Sequence, residues 1–178
     1  MPSKKTKTSS SNGSHAVSSL KPQIGLSDSA RSAVATLLNA RLADVFILYT
    51  KTRNYHWNVT GIHFQPLHEF FESQYDQLEE AMDEIAERVR QVGGFAAGTL
   101  AEFIALSALK EAPGLVPPAR DMIAHLLADH EAIIRQLRQD VDTTAETHHD
   151  MGTSDFLTGL MEQHEKMAWM LRAFLEEV

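Results

Sequence analysis

Apolar residues recur every three or four positions in four long stretches of this chain, the period of helices with one buried face. The first stretch carries Val34, Leu37, Leu38, Leu42, Val45, Phe46 and Tyr49, with Asp28 or Ser29 as its cap. It runs on to His56-Trp57 and ends in the turn Asn58-Val59-Thr60-Gly61. The second begins near Phe64, takes Pro66 in its first turn, where a missing N–H costs nothing, and stops after Val92 at Gly93-Gly94. The third opens at Pro118 and carries Met122, Ile123, Leu126, Leu127, Ile133, Ile134, Leu137 and Val141. The fourth, capped by Thr153 or Ser154, carries Phe156, Leu157, Leu160, Met161, Met167, Leu171, Phe174 and Leu175. Between the second and third, Thr99 and Glu102 form a capping box ahead of Phe103, Ile104, Leu106 and Leu109, a run of about three helical turns. No stretch reads as a strand.

These elements predict an all-α fold: a four-helix bundle with a short extra helix in the connection between the second and third helices. Short turns join the first helix to the second and the third to the fourth. The middle link is long enough to travel the length of the bundle, giving one crossover, as ferritin-like bundles have. His130 and His164 fall within apolar stripes and read as core or interface histidines with hydrogen-bond partners. Trp169 and the methionines read as core packing.

Composition divides the chain in two. Residues 1–27 are rich in Ser, Lys and Thr and lack periodicity, which predicts a disordered basic arm ahead of a bundle over residues 28–178. The arm carries Lys4, Lys5, Lys7 and Lys21 and no acid, candidates for contact with DNA. With a chain charge of −8, those four positive charges leave −12 on the bundle, a body suited to cations rather than phosphates. The absence of cysteine excludes disulfides and thiolate metal sites. No stretch is expected to reach the roughly 18 apolar residues of a membrane span, and no apolar segment follows the first lysines as in a secretion signal. A cytoplasmic protein without a membrane partner is the expectation.

The second helix carries the chemistry. His68, Glu72, Asp76, Glu79, Asp83 and Glu87 share one side of it, with no lysine or arginine among them. An uncompensated acidic row repels itself. A bound cation relieves it, and imidazole with carboxylate suits a divalent transition metal such as iron. His68 and Glu72 lie one turn apart, as do Asp83 and Glu87, but the two pairs are separated by roughly 22 Å of helix. Either each pair recruits ligands from elsewhere in the chain, or an antiparallel copy of the helix completes both, as a two-fold dimer would. The second arrangement is favoured, and it leaves His56 at the same end as His68. The Glu-x-x-His of an intrachain di-iron bundle occurs only at Glu146 to His149, outside the long helices.

The run His56-Trp57-Asn58-Val59, Gly61, Phe64, Leu67-His68-Glu69, Glu72, Asp83-Glu84-Ile85-Ala86-Glu87-Arg88 and Gly93-Gly94 resembles the Dps family, mini-ferritins named as DNA-binding proteins from starved cells. The resemblance extends over about residues 28–178. It implies a hollow homododecamer that oxidises Fe(II), preferably with hydrogen peroxide, stores the ferric mineral and protects DNA, in the cytoplasm or nucleoid. It also implies ferroxidase sites at two-fold interfaces, with His56, His68 and Glu72 from one subunit and Asp83 and Glu87 from its mate. Trp57 would stand beside the site as an electron donor, and His63 would support it from behind the ligands. Glu146, Asp150 and Asp155 match the family's three-fold pores for iron access.

Overall fold

The structure, a computed structural model, describes residues 21–176, so Lys4, Lys5 and Lys7 of the arm lie outside the described residues. Its helices are α1 (Asp28–Asn58), α2 (Phe64–Gln91), α3 (Leu100–Leu106), α4 (Ala119–Asp142) and α5 (Met151–Leu175). No strand occurs among the described residues. The all-α bundle with a short helix in its middle connection is the observed architecture.

Four long-range pairs fix how the helices run. Arg41 reaches Asp140, and Tyr55 reaches His125, so α1 and α4 are antiparallel. Gln74 bonds the Met167 carbonyl and Arg88 bonds Thr153, so α2 and α5 are antiparallel as well. Because α1 and α2 form a tight hairpin, α2 and α4 must run the same way. Residues 92–118 therefore return along the outside of the bundle, the one crossover expected. That return is pinned to α1: Asn39 bonds the backbone of Phe95 and Ala97, Phe103 stacks on Phe46 at 4.1 Å, and Asp44 accepts from Ser107 and the Ala108 N–H.

Phe71, Leu38, Leu78, Ile85, Leu126, Ile133, Leu157 and Leu171 are wholly buried and join all four long helices in one core. A window of α1 is long and apolar enough to span a membrane, contrary to expectation. Val34, Leu38, Val45 and Leu48 in that helix are sealed inside the bundle, which accounts for the apolar length.

The helix ends depart from expectation in several places. Ser27, not Asp28 or Ser29, caps α1 by accepting the Ala30 N–H. Asp28 instead bonds Lys21 and Arg31, which hold its carboxyl below the usual range, Lys21 most strongly. Lys21 is thus tied to the start of α1. The capping box at Thr99 and Glu102 is present, but α3 lasts only two turns, and Ile104 and Leu106 are exposed. Gly93, at φ 89°, stops α2 beside Arg31 and Pro22; a Cβ there would fall 2.8 Å from Arg31 Nη1. Past α4 the chain widens into a π-helical turn, Thr143–Thr147, closed by His149 in the left-handed region at φ 56°. Trp169 is 62% exposed and Met151 is exposed, so neither packs in the core of the chain.

Candidate metal centre

The α1–α2 turn folds the last turn of α1 back beside the first turns of α2, and this brings His56 and His68 face to face. Their rings stack at 3.7 Å with an interplanar angle of 19°. Each Nδ1 sits against the other's backbone carbonyl, His56 to His68 O at 2.8 Å and His68 to His56 O at 2.9 Å. A carbonyl only accepts, so both Nδ1 atoms must carry the proton. In the neutral imidazole that leaves both Nε2 atoms with bare lone pairs. Reciprocal bonds of this kind fix tautomer and ring orientation before any metal arrives, the role that outer partners play around histidine ligands.

Neighbouring aromatics hold the pair. Phe64 stacks on His68 at 5.2 Å, and Tyr75 meets His56 edge-on at 5.2 Å. Tyr75 also donates its hydroxyl to Glu72 Oε1 at 3.3 Å, so one side chain touches a candidate ligand on each side. His56 is buried, while Glu72 and Trp57 are exposed. His63 is the residue before α2; its side chain caps nothing and is exposed.

Asp83 and Glu87 lie further along α2, both exposed. Among the described residues no close ion pair engages Glu72, Asp76, Glu79, Asp83 or Glu87, and only Glu79 feels a nearby cation, Arg53. Nor do three acidic or imidazole side chains of one chain converge into a cation site among the described residues. His56 and His68 are brought together; Asp83 and Glu87 remain apart from them on the same helix.

Of the three residues expected at an access pore, Glu146 and Asp155 are exposed, but Asp150 is buried. Asp150 caps α5 in place of Thr153 or Ser154: Oδ1 accepts the Thr153 N–H at 2.9 Å and Oδ2 accepts the Thr153 hydroxyl at 2.6 Å. Arg88 of α2 completes it at 3.3 Å. Within the chain its carboxylate is fully engaged, so Asp150 is a structural acid rather than an open pore lining. His148 and His149 flank the same turn.

Sequence periodicity missed a cluster one turn before His56. The Arg53 guanidinium lies over the rings of Tyr75 at 5.0 Å, Tyr49 at 5.7 Å and Trp57 at 5.7 Å, and it donates to the Tyr49 hydroxyl. Tyr49, Arg53 and Trp57 are spaced by four and so visible as one helical face; Tyr75 joins them only through the packing of α2 on α1.

The ferritin-like domain family matches residues 35–178. An uncharacterized low temperature-induced protein from Nostoc sp. is 51% identical over 153 residues, 86% of this chain and 86% of that one. A DNA protection during starvation protein 2 from Bacillus anthracis is 38% identical over 144 residues, 81% of this chain and 97% of that protein. The crystal structure of a Dps protein from Bacillus brevis superposes with a TM-score of 0.79 at 37% identity, covering 85% of this chain and all (100%) of that one. Likeness at that identity over nearly whole chains goes beyond a shared helical architecture: this chain belongs to the Dps family of ferritin-like proteins.

Proposed function

We propose that this protein is a ferroxidase and iron store, which takes Fe(II) as substrate and hydrogen peroxide as oxidant at sites shared between two subunits. The observation that carries the reading is the locked His56–His68 pair. It offers two imidazole lone pairs beside the Glu72 carboxylate and lacks the further carboxylates that an Fe(II) pair requires. Asp83 and Glu87 supply those carboxylates when α2 of a second copy lies antiparallel, because the 15-residue separation then places each acid pair opposite the other copy's histidines.

At such a site two Fe(II) ions each give up one electron, and one peroxide accepts both together with two protons from solvent and leaves as two waters. Pairing the electrons avoids release of hydroxyl radical. The imidazoles and carboxylates favour the higher charge of Fe(III), and the unpaired acids of α2 draw the cation in. We assign the ferric mineral to the cavity of a homododecamer, and iron access to a funnel in which Glu146 and Asp155, without Asp150, present the negative charge. DNA contact is assigned to Lys4, Lys5 and Lys7, with Lys21 held in an ion pair with Asp28. That name-giving role belongs to the relatives' description and comes second to the iron chemistry here.

Replacing His68 or Glu87 by alanine tests the site. Peroxide-driven formation of ferric iron, followed by absorbance, should slow in each variant while size-exclusion elution stays that of the intact assembly. Wild-type rates in both variants would refute the site.

A further inference from the structure

The bundle core holds a second pair of imidazoles, which the iron chemistry does not use. His130 of α4 and His164 of α5 are wholly buried, with Nδ1 against Nδ1 at 2.9 Å. The Nε2 atom of each ring is buried without a hydrogen-bond partner among the described residues. Burial lowers the proton affinity of both rings, that of His164 to about 3, so protons do not contest their lone pairs near neutral pH.

The surroundings add sulfur and one further acceptor, but no acid. Met161 and Met167 stand three residues to either side of His164, and both are buried with it on one face of α5. Gln74 of α2 donates to the Met167 carbonyl, and its Oε1 is a third buried atom without a partner. No carboxylate bonds either imidazole among the described residues.

We propose that His130 and His164, with the Met167 thioether, form a binding site for copper(I), a soft monovalent ion. The ligand set selects the ion. Two neutral imidazoles and a thioether bring no negative charge, so a divalent or trivalent ion in this apolar core stays uncompensated. A single charge costs least there, and thioether together with imidazole suits Cu(I). The set is thus the chemical opposite of the acid-rich helix α2, and it is independent of the ferroxidase reading.

The geometry is close to what the ion requires. At metal–nitrogen bonds of about 2.0–2.1 Å, an ion in place of the shared hydrogen meets nitrogens 2.9 Å apart at an angle of about 90°. Parting the two nitrogens to about 3.5 Å opens that angle to the trigonal value. Helical side chains lean toward the N-terminus of their helix, which lays Met167 back over the turn that carries His164. With both Nδ1 atoms on the ion, each ring keeps its proton on Nε2, and Gln74 Oε1 is a free acceptor in the same core. Cu(I) free in solution passes one electron to peroxide and yields Cu(II), hydroxide and a hydroxyl radical. An ion sealed between α4 and α5 is kept from that encounter. Entry needs the two helices to part locally, so loading should be slow.

The test is an anaerobic titration of the full-length assembled protein with Cu(I) in competition with bathocuproine disulfonate, read after long equilibration. The expected result is one Cu(I) per subunit withheld from the chelator in the wild type and in His68→Ala. Met167→Leu, which conserves core volume, should weaken retention by about tenfold or more, and His130→Leu, His164→Leu should abolish it. No retention by the wild type overturns the proposal. So does full retention by the double variant, or loss in His68→Ala, which would place the ion at the α1–α2 turn. X-ray absorption on the Cu(I)-loaded wild type needs no variant. Nitrogen neighbours at about 2.0 Å with one sulfur at about 2.3 Å support the site, and a shell without sulfur overturns it.

Discussion

The histidines buried between α4 and α5 also respond to pH. His130 of α4 and His164 of α5 are wholly buried, with Nδ1 against Nδ1 at 2.9 Å. One imidazole must donate and the other accept, so the bond needs at least one neutral ring. Burial first, and for His130 the neighbouring His164 second, push both below the ordinary histidine range, His164 to about 3. The unfolded chain therefore takes up protons below the ordinary value of 6.5 that the folded chain refuses. Stability from this pair is fully present above that value and is lost as pH falls from there toward 3, at up to about 1.4 kcal/mol per pH unit for each histidine. Chemical unfolding of the metal-free protein at fixed protein concentration, compared at pH 7 and pH 5, measures it. A His130→Leu, His164→Leu variant should show a flatter dependence on pH than the wild type; equal slopes would count against the buried pair as its source. That these residues partner each other was not readable from their separate apolar stripes, since nothing in either helix sets the rotation that brings them together.

At the scale of the element, what periodicity and turn chemistry determine was legible: α2 with Pro66 inside and glycine after it, the Thr99 capping box, and Pro118 as the point where α4 opens. Caps chosen among adjacent polar residues were not. Ser27 beat Asp28 because Asp28 is drawn away by Lys21 and Arg31, and Asp150 beat Thr153 because Arg88 from α2 supports it. The first outcome is set by charges three and seven residues away, the second by a charge from another helix. The same reason separates what was visible at the candidate site. Its ligand types and their spacing along one helix lay in the sequence, whereas the reciprocal bonds of His56 and His68 arise only when two helices close on each other. Exposed Trp57, Trp169, Ile62 and Phe64 show the limit of apolar patterning: one chain buries only what its own four helices cover.

At the scale of the molecule, charge is divided between an arm and a body of opposite sign. Contact with DNA through so few lysines should be weak and sensitive to salt. Removing residues 1–20 should abolish retardation of DNA in a gel at low salt while iron oxidation continues; no retardation by the full-length protein would remove the DNA role. The body's chemistry depends on a different arrangement, the wide separation along α2 of its imidazole end from its Asp83–Glu87 end. On the proposed site a subunit would never own a whole site; it would lend half to each of two. Defects at opposite ends of α2 should then complement each other. Subunits carrying His68→Ala and subunits carrying Glu87→Ala should each be slow alone, yet a mixed dimer would have one site with both lesions and one with neither. Random reassembly of equal amounts should restore about a quarter of the sites, since half the dimers are mixed and each keeps one of its two. Ferric formation by the mixture that stays at the level of the separate variants would mean that each chain builds its site alone. Restored activity would mean that function here is inherited by pairs of subunits, two broken copies making a working one.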